Sequence, residues 1–398
     1  MSVSRTAPPP HDYHRWQTRT VTVRGSDYQL ATKPGAFAHG TIDPASVLLA
    51  ERMKLAPDER VLHLNCGNGL VGSVAARLGA RVVLTDRNVV AVDAARRTLA
   101  ANHCAGEVLL GQGSHALSPD FAPDVVAIRI PHEKLALLQL LWDAYRVLPV
   151  GGRCYLAGAT GEGVKTAAGA MERLFGMATT LAHGSGHRLV VAVKRGVVPH
   201  DATGFDSPLL DHGTFNSFTA HLRGGDYTLF SRPGVFSWDH IDEATTILAG
   251  TMDVRPGDRV LDLGCGVGAL GVVAASLSDG GPVCMVDADV EAVRSAERSA
   301  AAAGVTNVRC LTSDVAAAVR EERFDVVVTN PPFHVGKATD LNVPLQFIED
   351  AWGVLAPGGR LNLVANRTLP YEGAIRRRFG NLATLHDGPR FKVLAATR

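Results

Sequence analysis

Long apolar segments are missing from this chain of 398 residues, although 46% of its residues are hydrophobic. No run of 18 or more apolar residues occurs, so the sequence predicts no membrane-spanning helix. The N-terminal residues MSVSRTAPPPHDYHRW also lack the apolar central segment of a secretory signal peptide. We therefore expect a cytoplasmic protein that has no membrane partner.

Cysteine is scarce as well, and its six occurrences include no Cys-x-x-Cys pair. A disulfide framework or a zinc site needs closely spaced, repeated cysteines. The histidines show no metal-ligand spacing either. We expect no metal site, and we expect buried thiols that serve packing at Cys66, Cys104, Cys154, Cys265, Cys284 and Cys310.

Net charge is low, at +1 for the whole chain, but it is unevenly distributed. Residues 1–198 contain 22 Lys or Arg and 15 Asp or Glu, a net charge of +7, whereas residues 199–398 contain 18 and 24, a net charge of −6. Residues 359–398 are again basic, with eight Lys or Arg and two acidic residues. A polyanion that meets both basic parts is one interpretation, and scattered solvated side chains are the other.

An internal repeat divides the chain into two parts. Three pairs of segments match at one offset of 199 residues: 28–37 with 227–236, 42–46 with 241–245, and 60–69 with 259–268. A period of this length is that of a whole domain. We therefore predict two duplicated domains, residues 1–198 and residues 199–398, with a boundary region near residues 196–212 that contains a linker-like stretch at 196–204.

Short apolar runs alternate with amphipathic stretches in each half. In the second half, five runs have the composition of strands buried on both faces: 259–263, 283–287, 308–311, 324–329 and 359–365. Helices are predicted between them at 268–277, 289–303 and 345–355, and a hairpin at 382–386 and 391–397. This alternation predicts an α/β fold of two tandem doubly wound domains, each built on a parallel sheet.

Three glycines, Gly264, Gly266 and Gly268, follow the first of these strands and open a helix. Glycines at such a junction let the backbone turn tightly and approach a bound cofactor. The pattern is close to that of dinucleotide-binding loops, so a dinucleotide site and a tight turn without a ligand both stay open. Asp287 ends the second strand, where a carboxylate can accept hydrogen bonds from ribose hydroxyls.

The segment Asn330-Pro331-Pro332-Phe333 follows the fourth strand. Two consecutive prolines fix the backbone, so the Asn330 amide and the Pro331 carbonyl point the same way. Their oxygens would hold both N–H bonds of a planar exocyclic amine and turn its lone pair towards an electrophile. Phe333 would stack on the base. The alternative is a proline-stiffened turn with a buried Phe333.

These candidates follow four successive strands: Gly264 to Gly268 the first, Asp287 the second, Asp314 the third and Asn330 the fourth. The carboxyl ends of parallel strands lie at one edge of an open sheet, where ligands bind. The sequence therefore predicts a single site at that edge.

The second half resembles the class I S-adenosylmethionine-dependent methyltransferases. Within them it is similar to the bacterial ribosomal RNA guanine-N2 methyltransferases of the small-subunit methyltransferase C and large-subunit methyltransferase G type. The resemblance covers nearly all of residues 225–398 and rests on the segments 233–237, 260–268, 330–334, 364–366, 369–371 and 390–393. It implies methyl transfer from S-adenosylmethionine to the N2 amine of a guanine, with ribosomal RNA or a ribosomal subunit as partner.

The resemblance also implies a role for each motif. The glycine loop and the first-strand acid would hold the methionine part of the cofactor, the second-strand acid the ribose and the third-strand acid the adenine. In this chain those residues are Asp262, Gly264, Gly266 and Gly268, then Asp287, then Asp314. The catalytic residues would be Asn330, Pro331, Pro332 and Phe333, and Phe333 and His334 would contact the substrate.

In that family the first of two similar domains has lost its catalytic motifs, and the first half here fits the description. His63 stands opposite Asp262, and Asn65 stands opposite Gly264. Arg-Ile-Pro-His at 129–132 stands opposite 330–333, whereas an Asp remains opposite Asp287. We expect the first half to be a degenerate methyltransferase-like domain, retained for packing or RNA binding.

Two other functions stay open. One is methylation of a different amine, such as a DNA adenine or a protein side-chain amide, because Asn-Pro-Pro-aromatic motifs serve those reactions too. The other is a non-catalytic RNA-binding or ribosome assembly factor, which retained RNA binding without methyl transfer would identify. In each case we expect a monomer.

Overall fold

The computed structural model describes residues 13–332 and 341–398. The elements of the first half are β1 Gln17–Val23, β2 Ser26–Thr32, α1 Pro44–Arg52, β3 Arg60–Leu64, α2 Leu70–Arg77, β4 Arg81–Asp86, α3 Val89–Ala101, β5 Glu107–Leu110, β6 Val125–Arg129, α4 Lys134–Val147, β7 Arg153–Ala159, α5 Val164–Phe175, β8 Ala178–Gly184 and β9 His187–Val193. Those of the second half are β10 Asn216–Leu222, β11 Gly225–Ser231, α6 Glu243–Thr251, β12 Val260–Leu263, α7 Ala269–Leu277, β13 Val283–Asp287, α8 Val290–Ala302, β14 Val308–Thr312, β15 Phe324–Thr329, α9 Asn342–Val354, β16 Leu355–Asn366, α10 Tyr371–Phe379, β17 Ala383–Asp387 and β18 Phe391–Thr397.

Each half forms one seven-stranded sheet from its described residues. The strand orders are β5-β4-β3-β6-β7-β9-β8 and β14-β13-β12-β15-β16-β18-β17, the same order in both halves. Five strands of each sheet are parallel, and the last two join antiparallel as a hairpin at one edge. Each half also begins with a two-stranded hairpin, β1–β2 or β10–β11. The predicted pair of doubly wound α/β domains is confirmed.

The apolar runs account for the sheets. In β6 and β12 every residue is buried, as expected for strands that are covered by helices on both faces. Two apolar cores flank each sheet. Strands β13 and β15 have the predicted bounds, but α9 begins at Asn342, three residues before the predicted start. Pro344 lies in its first turn, where proline costs the helix no hydrogen bond.

The two halves meet along the edges where their parallel strands end. The Arg87 guanidinium forms two contacts with the Asp289 carboxylate, Nε to Oδ1 at 2.7 Å and Nη2 to Oδ2 at 2.6 Å. The turn after β4 also bonds directly to the turn after β13, because Val89 N donates to Ala288 O and Val290 N donates to Arg87 O, each at 2.9 Å. The edges at which the parallel strands of the two sheets end therefore face each other.

Each half also lends a segment to the core of the other. Tyr13 belongs to a core of the second half that also contains residues of α9 and α10. Phe205 and Leu210 pack in a core of the first half. Residues 200–212 therefore lie with the first half in space, although they follow the predicted division at 198/199.

Three further observations concern the described residues. No helix among them is long and apolar enough to span a membrane. All six cysteines are free thiols, four of them buried, and burial raises the pKa of the Cys66 and Cys265 thiols. Residues 13–332 and 341–398 contain no group of three His, Cys, Asp or Glu side chains arranged to hold a metal ion.

Candidate functional site

The glycine loop between β12 and α7 needs glycine at each of its three positions, for different reasons. All three have a positive φ, +77° at Gly264, +53° at Gly266 and +83° at Gly268. A Cβ on Gly264 would lie 2.9 Å from the Phe347 ring, and one on Gly268 would lie 2.9 Å from Ala296 on α8. A Cβ on Gly266 would meet no described atom within 4 Å, and Gly266 lines a cavity. Gly264 and Gly268 therefore allow close packing, and Gly266 leaves room for a ligand.

That cavity has a volume of about 390 Å³ and lies between the two halves. The second half contributes most of its wall, including Gly264, Gly266, Asp287, Asp314, Asn330, Pro331 and Pro332. The first half contributes Tyr13, Gly35, Asn88 and Val90. The structure thus brings seven of the predicted site residues to one cavity, at the sheet edge that the sequence indicated.

Asp287 is held so that its carboxylate faces this cavity. Gly266 N donates to its Oδ2 at 2.9 Å, and Asp289 N donates to its Oδ1 at 3.0 Å. Burial, and secondly the charge of Asp289, raise the pKa of Asp287 to about 6. Each carboxylate oxygen keeps a further lone pair, which suits the two hydroxyl donors of a ribose.

Asp262 and Gly268 do not line the cavity. Asp262 is fully buried beneath the loop, where its Oδ2 accepts a hydrogen bond from Gly271 N at 2.8 Å. Its Oδ1 has no hydrogen-bond partner among the described residues. Burial raises the pKa of Asp262 to about 7. Asp262 supports the loop from below, Gly268 packs the loop against α8, and a direct contact of Asp262 with a cofactor stays a prediction.

Asp314 is reached by two side chains from the first half. Tyr13 Oη donates to Asp314 Oδ1 at 2.8 Å, and the Lys33 ammonium forms an ion pair with Asp314 Oδ2. The Lys33 side chain is only 2% exposed, whereas that of Asp314 is 19% exposed and lines the cavity. The predicted adenine-binding acid is therefore fixed from outside its own domain.

Asn330 is oriented by two residues at the start of α6. Its Nδ2 lies 3.2 Å from Asp242 Oδ2 and 3.0 Å from Thr245 Oγ1, and the Thr245 hydroxyl donates to Asp242. A carboxylate can only accept hydrogen bonds, so the atom that faces it is the amide nitrogen. The carbonyl oxygen Oδ1 is then the remaining polar atom of the side chain. Such an acceptor beside a cavity suits an amine donor.

Two predicted site residues, Phe333 and His334, lie outside the described residues. Their proposed contacts with the substrate stay predictions. Pro331 and Pro332 line the cavity beside Asn330, as expected for a stiffened wall.

In the first half, an arginine occupies the position of Asn330. Arg129 Nε lies 2.9 Å from Asp43 Oδ2, and its Nη2 lies 3.1 Å from Asp43 Oδ1 and 2.8 Å from Glu162 Oε1. Asn65, which replaces Gly264, donates its side-chain amide to Arg129 O at 2.9 Å. The acid before the first helix, Asp43, is the repeat partner of Asp242. The same framework thus holds a cation where the second half holds an amide.

The space above the glycine loop of the first half is filled as well. A Cβ on Gly67, the counterpart of Gly266, would lie 3.0 Å from the Phe37 ring. Arg129 lies over the same ring, 5.4 Å from its centroid. The repeat partner of Phe37 is Phe236, which is 62% exposed and lines the cavity of the second half. One aromatic position therefore closes a site in one half and borders a cavity in the other.

Sequence reasoning did not predict the contacts of four residues that the structure places at this site: Asp242, Thr245, Tyr13 and Lys33. A signal for the first two was present, because Asp242 and Thr245 lie in segment 241–245, which repeats segment 42–46 with Asp43 in the position of Asp242. Lys33 also lies in a repeated segment, opposite Arg232. No pattern in the sequence indicated that Tyr13 or Lys33 contacts the other half.

Comparison with known proteins gives an independent view of this arrangement. The family model for the methyltransferase small domain matches residues 27–191 and residues 226–395. It thus matches both copies of the repeat.

Curated relatives that carry the name ribosomal RNA small subunit methyltransferase C come from several bacteria. The protein from Hahella chejuensis is 41% identical over 170 residues, which are 43% of this chain and 49% of that protein. The protein from Cronobacter sakazakii is 31% identical over 268 residues, 67% of this chain and 72% of that protein. The chain spans about half the length of the first of these relatives.

A solved structure covers both halves. It is the 16S rRNA N2 G1207 methyltransferase of T. thermophilus in complex with AdoMet and guanosine. It is 31% identical in sequence, with a TM-score of 0.80, and the alignment covers 97% of this chain and 98% of that one. The tandem arrangement of the two domains is therefore shared.

Proposed function

The chain belongs to the methyltransferase small domain family, and from this membership and the geometry of the cavity we propose that it transfers a methyl group from S-adenosylmethionine to the N2 amine of a guanine in ribosomal RNA. The similarity to small-subunit methyltransferases from two bacteria, and to a structure that contains AdoMet and guanosine, supports this choice of cofactor and base. It favours small-subunit RNA over DNA or protein as the source of the amine.

One observation carries the proposal. Asn330 is an amide whose nitrogen is bound to Asp242 and Thr245, so its carbonyl oxygen is available to accept a hydrogen bond at the wall of the cavity. Asp287 and Gly266 line the same cavity. An acceptor for an amine and a carboxylate for a ribose therefore share one space.

The residues of the cavity fit S-adenosylmethionine. Asp287 offers two lone pairs to the ribose hydroxyls, Asp314 offers acceptors to an amino group on adenine, and the backbone at Gly266 leaves room above it. When bound, the cofactor supplies an electrophilic methyl group on its sulfonium.

The contribution of the chain is to position the amine. An exocyclic amino group of guanine is a weak nucleophile because its lone pair is delocalised into the ring. Asn330 Oδ1 and the Pro331 carbonyl would hold its two N–H bonds and direct the lone pair along the line of displacement. The Asp242–Thr245 pair prevents the amide from rotating. Transfer then needs no covalent bond between enzyme and substrate.

We assign the chemistry to residues 199–398 and RNA docking to the basic residues 1–198. Charge supports this division, because a net −6 second half repels a phosphate backbone and a net +7 first half attracts it. The filled space above Gly67 argues against a second reaction centre. A ribosomal RNA substrate implies a cytoplasmic enzyme. A monomer fits this proposal, because the two halves of one chain line the cavity.

The test is mass spectrometric mapping of modified guanines in ribosomal RNA from cells with and without the gene, complemented by the wild-type chain or by Asn330→Ala. We expect one N2-methylguanine to disappear without the gene and to return only with the wild-type chain. Unchanged guanines combined with the loss of a methyl mark on DNA or protein would assign a different amine. Unchanged methylation everywhere, with RNA binding retained, would identify a non-catalytic factor.

A further inference from the structure

A buried lysine of the first half pairs with an acid of the second half that lines the candidate cofactor cavity. Lys33 follows β2, and its ammonium reaches Asp314, which follows β14. The same ammonium lies 3.9 Å from the centroid of the Tyr13 ring. Tyr13 is itself buried and donates its hydroxyl to the other oxygen of Asp314. The cation, the ring and the carboxylate form one contiguous cluster.

Burial of this lysine is costly unless its charge is compensated. Burial lowers the pKa of Lys33, whereas Asp314 acts in the opposite direction. Asp350 and Asp93 also favour the charged form. An ammonium removed from water is retained only where it is paired, and Asp314 is the nearest of these carboxylates. The position of Lys33 therefore depends on Asp314, and that of Asp314 on Lys33.

The two donors define how Asp314 is presented to the cavity. Each carboxylate oxygen has one donor, Tyr13 on Oδ1 and Lys33 on Oδ2, so the plane of the carboxylate is fixed. A carboxylate oxygen has two lone-pair sites, and one on each oxygen stays available for a ligand. A fixed acceptor recognises an amino group better than a rotating one, because less freedom is lost on binding.

The repeated positions in the other halves, Arg232 and Gly113, do not form a second copy of this cluster. The counterpart of Lys33 is Arg232, which forms its ion pair with Glu291 of its own half. The counterpart of Asp314 is Gly113, where a Cβ would overlap the Asp143 carboxylate. The contact between a cation of one half and a third-strand acid of the other is thus made once.

We propose that Lys33 and Tyr13 are positioning residues for nucleoside recognition, supplied by the first half: they fix the Asp314 carboxylate so that it accepts a hydrogen bond from the 6-amino group of the adenine. The first half therefore serves the cofactor site as well as the RNA. This inference rests on the proposed function for the identity of the cofactor, but it concerns binding and not methyl transfer.

The experiment compares two variants of the full chain, Lys33→Met and Tyr13→Phe. Methionine keeps the length of the lysine stem without its charge, and phenylalanine removes one oxygen. Matched controls are Lys194→Met and Tyr145→Phe, also buried in the first half. The ammonium of Lys194 donates to Tyr145 O and Leu148 O, and Tyr145 Oη donates to Gly196 O. Thermal unfolding monitors the folded state of all four.

Two quantities are measured by calorimetry: the affinity for S-adenosylhomocysteine, and the ratio of affinities for adenosine and purine riboside in competition with it. Purine riboside lacks the 6-amino group, so the ratio reports recognition of that group alone. We expect each test variant to bind S-adenosylhomocysteine roughly tenfold more weakly, as for loss of one hydrogen bond to a charged group. The adenosine preference should shrink towards one in both, and the controls should keep it.

A ratio that is unchanged in folded Lys33→Met and Tyr13→Phe would overturn the proposal, as would an equal loss of the ratio in the controls. Tyr13→Phe decides alone if Lys33→Met does not fold, because it changes a single atom. Failure of the proposed function is a separate result: if no guanine is methylated, the adenosine preference and its dependence on Lys33 are still measurable.

Discussion

At the scale of single residues, the duplication shows how one side chain changes the use of a framework. Asp43 and Asp242 both begin the first helix after the hairpin of their half, and each accepts a hydrogen bond from the hydroxyl residue three positions later. In the first half the acid is neutralised by Arg129, which occupies the space. In the second half it holds the Asn330 amide. Arg129 occupies both oxygens of its carboxylate and offers no acceptor of its own. Asn330 binds its carboxylate through the amide nitrogen, which fixes the position of its own carbonyl oxygen as an acceptor.

Replacing Asn330 tests this use directly. Asn330→Ala should leave the affinity for S-adenosylmethionine nearly unchanged, because Asp287 and the glycine loop remain. Turnover should fall by roughly 10²–10³, the loss seen when one preorganised polar group at a reacting centre is removed. Asn307→Ala is the control, because the Asn307 amide donates to Gly281 O in the same half and does not line the cavity. Equal turnover in the two variants would show that Asn330 takes no part in the reaction.

A second residue-scale prediction concerns Asp262. Its pKa is about 7 in the folded chain and near 3.8 when unfolded, so between these values the folded state binds the additional proton. The free energy of unfolding therefore falls by about 1.4 kcal/mol per pH unit as the pH rises from about 4 to about 7, through this group alone. Asp262→Asn cannot titrate and loses this dependence.

Urea unfolding at pH 5, 6, 7 and 8 measures the effect. The difference in free energy of unfolding, Asp262→Asn minus wild type, should increase up to pH 7 and then level off. Asp325→Asn is the control: its hydrogen bond with Arg259 lowers the pKa of Asp325, so its titration lies below this range and its difference should stay constant. Parallel curves for the two variants would show that Asp262 is ionised throughout.

At the scale of elements, the sequence was a good guide wherever a strand is buried on both faces. Continuous apolar runs located β13 and β15 at their observed bounds, and the repeat transferred the same scheme to the first half. Polar residues at the ends of these strands located the cavity, because the carboxyl ends of parallel strands lie at one edge of the sheet. The start of α9 was missed because Pro344 reads as a break although it lies in the first turn.

The paired loops after β4 and β13 give the next prediction, one cofactor per chain. Asp86 and Asp287 make the same backbone bonds, to Gly67 N and Asn88 N in one half and to Gly266 N and Asp289 N in the other. Asp287 lines the cavity and Asp86 does not, and Phe37 covers the glycine loop of the first half at Gly67. Calorimetry with S-adenosylmethionine should therefore give a stoichiometry near one.

Matched substitutions separate the two loops. Asp287→Asn should weaken cofactor binding by about tenfold or more, because one acceptor for the ribose hydroxyls becomes a donor. Asp86→Asn should leave the affinity nearly unchanged, since its carboxylate serves its own loop. A stoichiometry near two, or similar losses in both variants, would show that the first half also binds.

At the scale of the whole molecule, the contacts between the halves were not predictable from the sequence. A repeat states that two domains are alike, but it does not state which edges meet. The Arg87–Asp289 ion pair, the Tyr13–Asp314 contact and the packing of Phe205 all join residues that are distant in sequence. Each half is therefore part of the other's surroundings, and the role of either is best tested in the intact chain.

Ion pairs neutralise part of the positive charge that the sequence shows near the C-terminus. Among the basic residues near the C-terminus, Arg378 pairs with Glu349, Arg390 with Glu243 and Lys392 with Glu372. These contacts reduce the positive field expected from that segment. Arg376 and Arg377 form no ion pair with a described residue, and they end α10. The first half is therefore the main source of uncompensated positive charge.

RNA affinity should depend on where that charge lies. Lys134 and Lys165 are exposed at the starts of α4 and α5, on the sheet edge that faces the second half. Arg52 and Lys54 are also exposed but lie near the start of β3, at the opposite edge. We expect a guanine held at Asn330 to bring its neighbouring phosphates to the edge at which Lys134 and Lys165 lie, because the cavity is lined by both halves. Each phosphate contact adds about 0.7–0.9 to the slope of log K against log salt concentration, because counterions are released.

We therefore predict that the double variant Lys134→Gln and Lys165→Gln binds ribosomal RNA more weakly than wild type and has a slope shallower by up to about 1.8, two contacts at that value. The double variant Arg52→Gln and Lys54→Gln loses the same net charge and should keep the wild-type slope. A salt series of RNA binding with both variants measures this. Cofactor affinity should be unchanged in each, since none of the four residues lines the cavity. Equal slopes in the two variants would mean that net charge alone attracts the RNA, and that the first half acts on the reaction only through its contacts with Asp314 and Asp289.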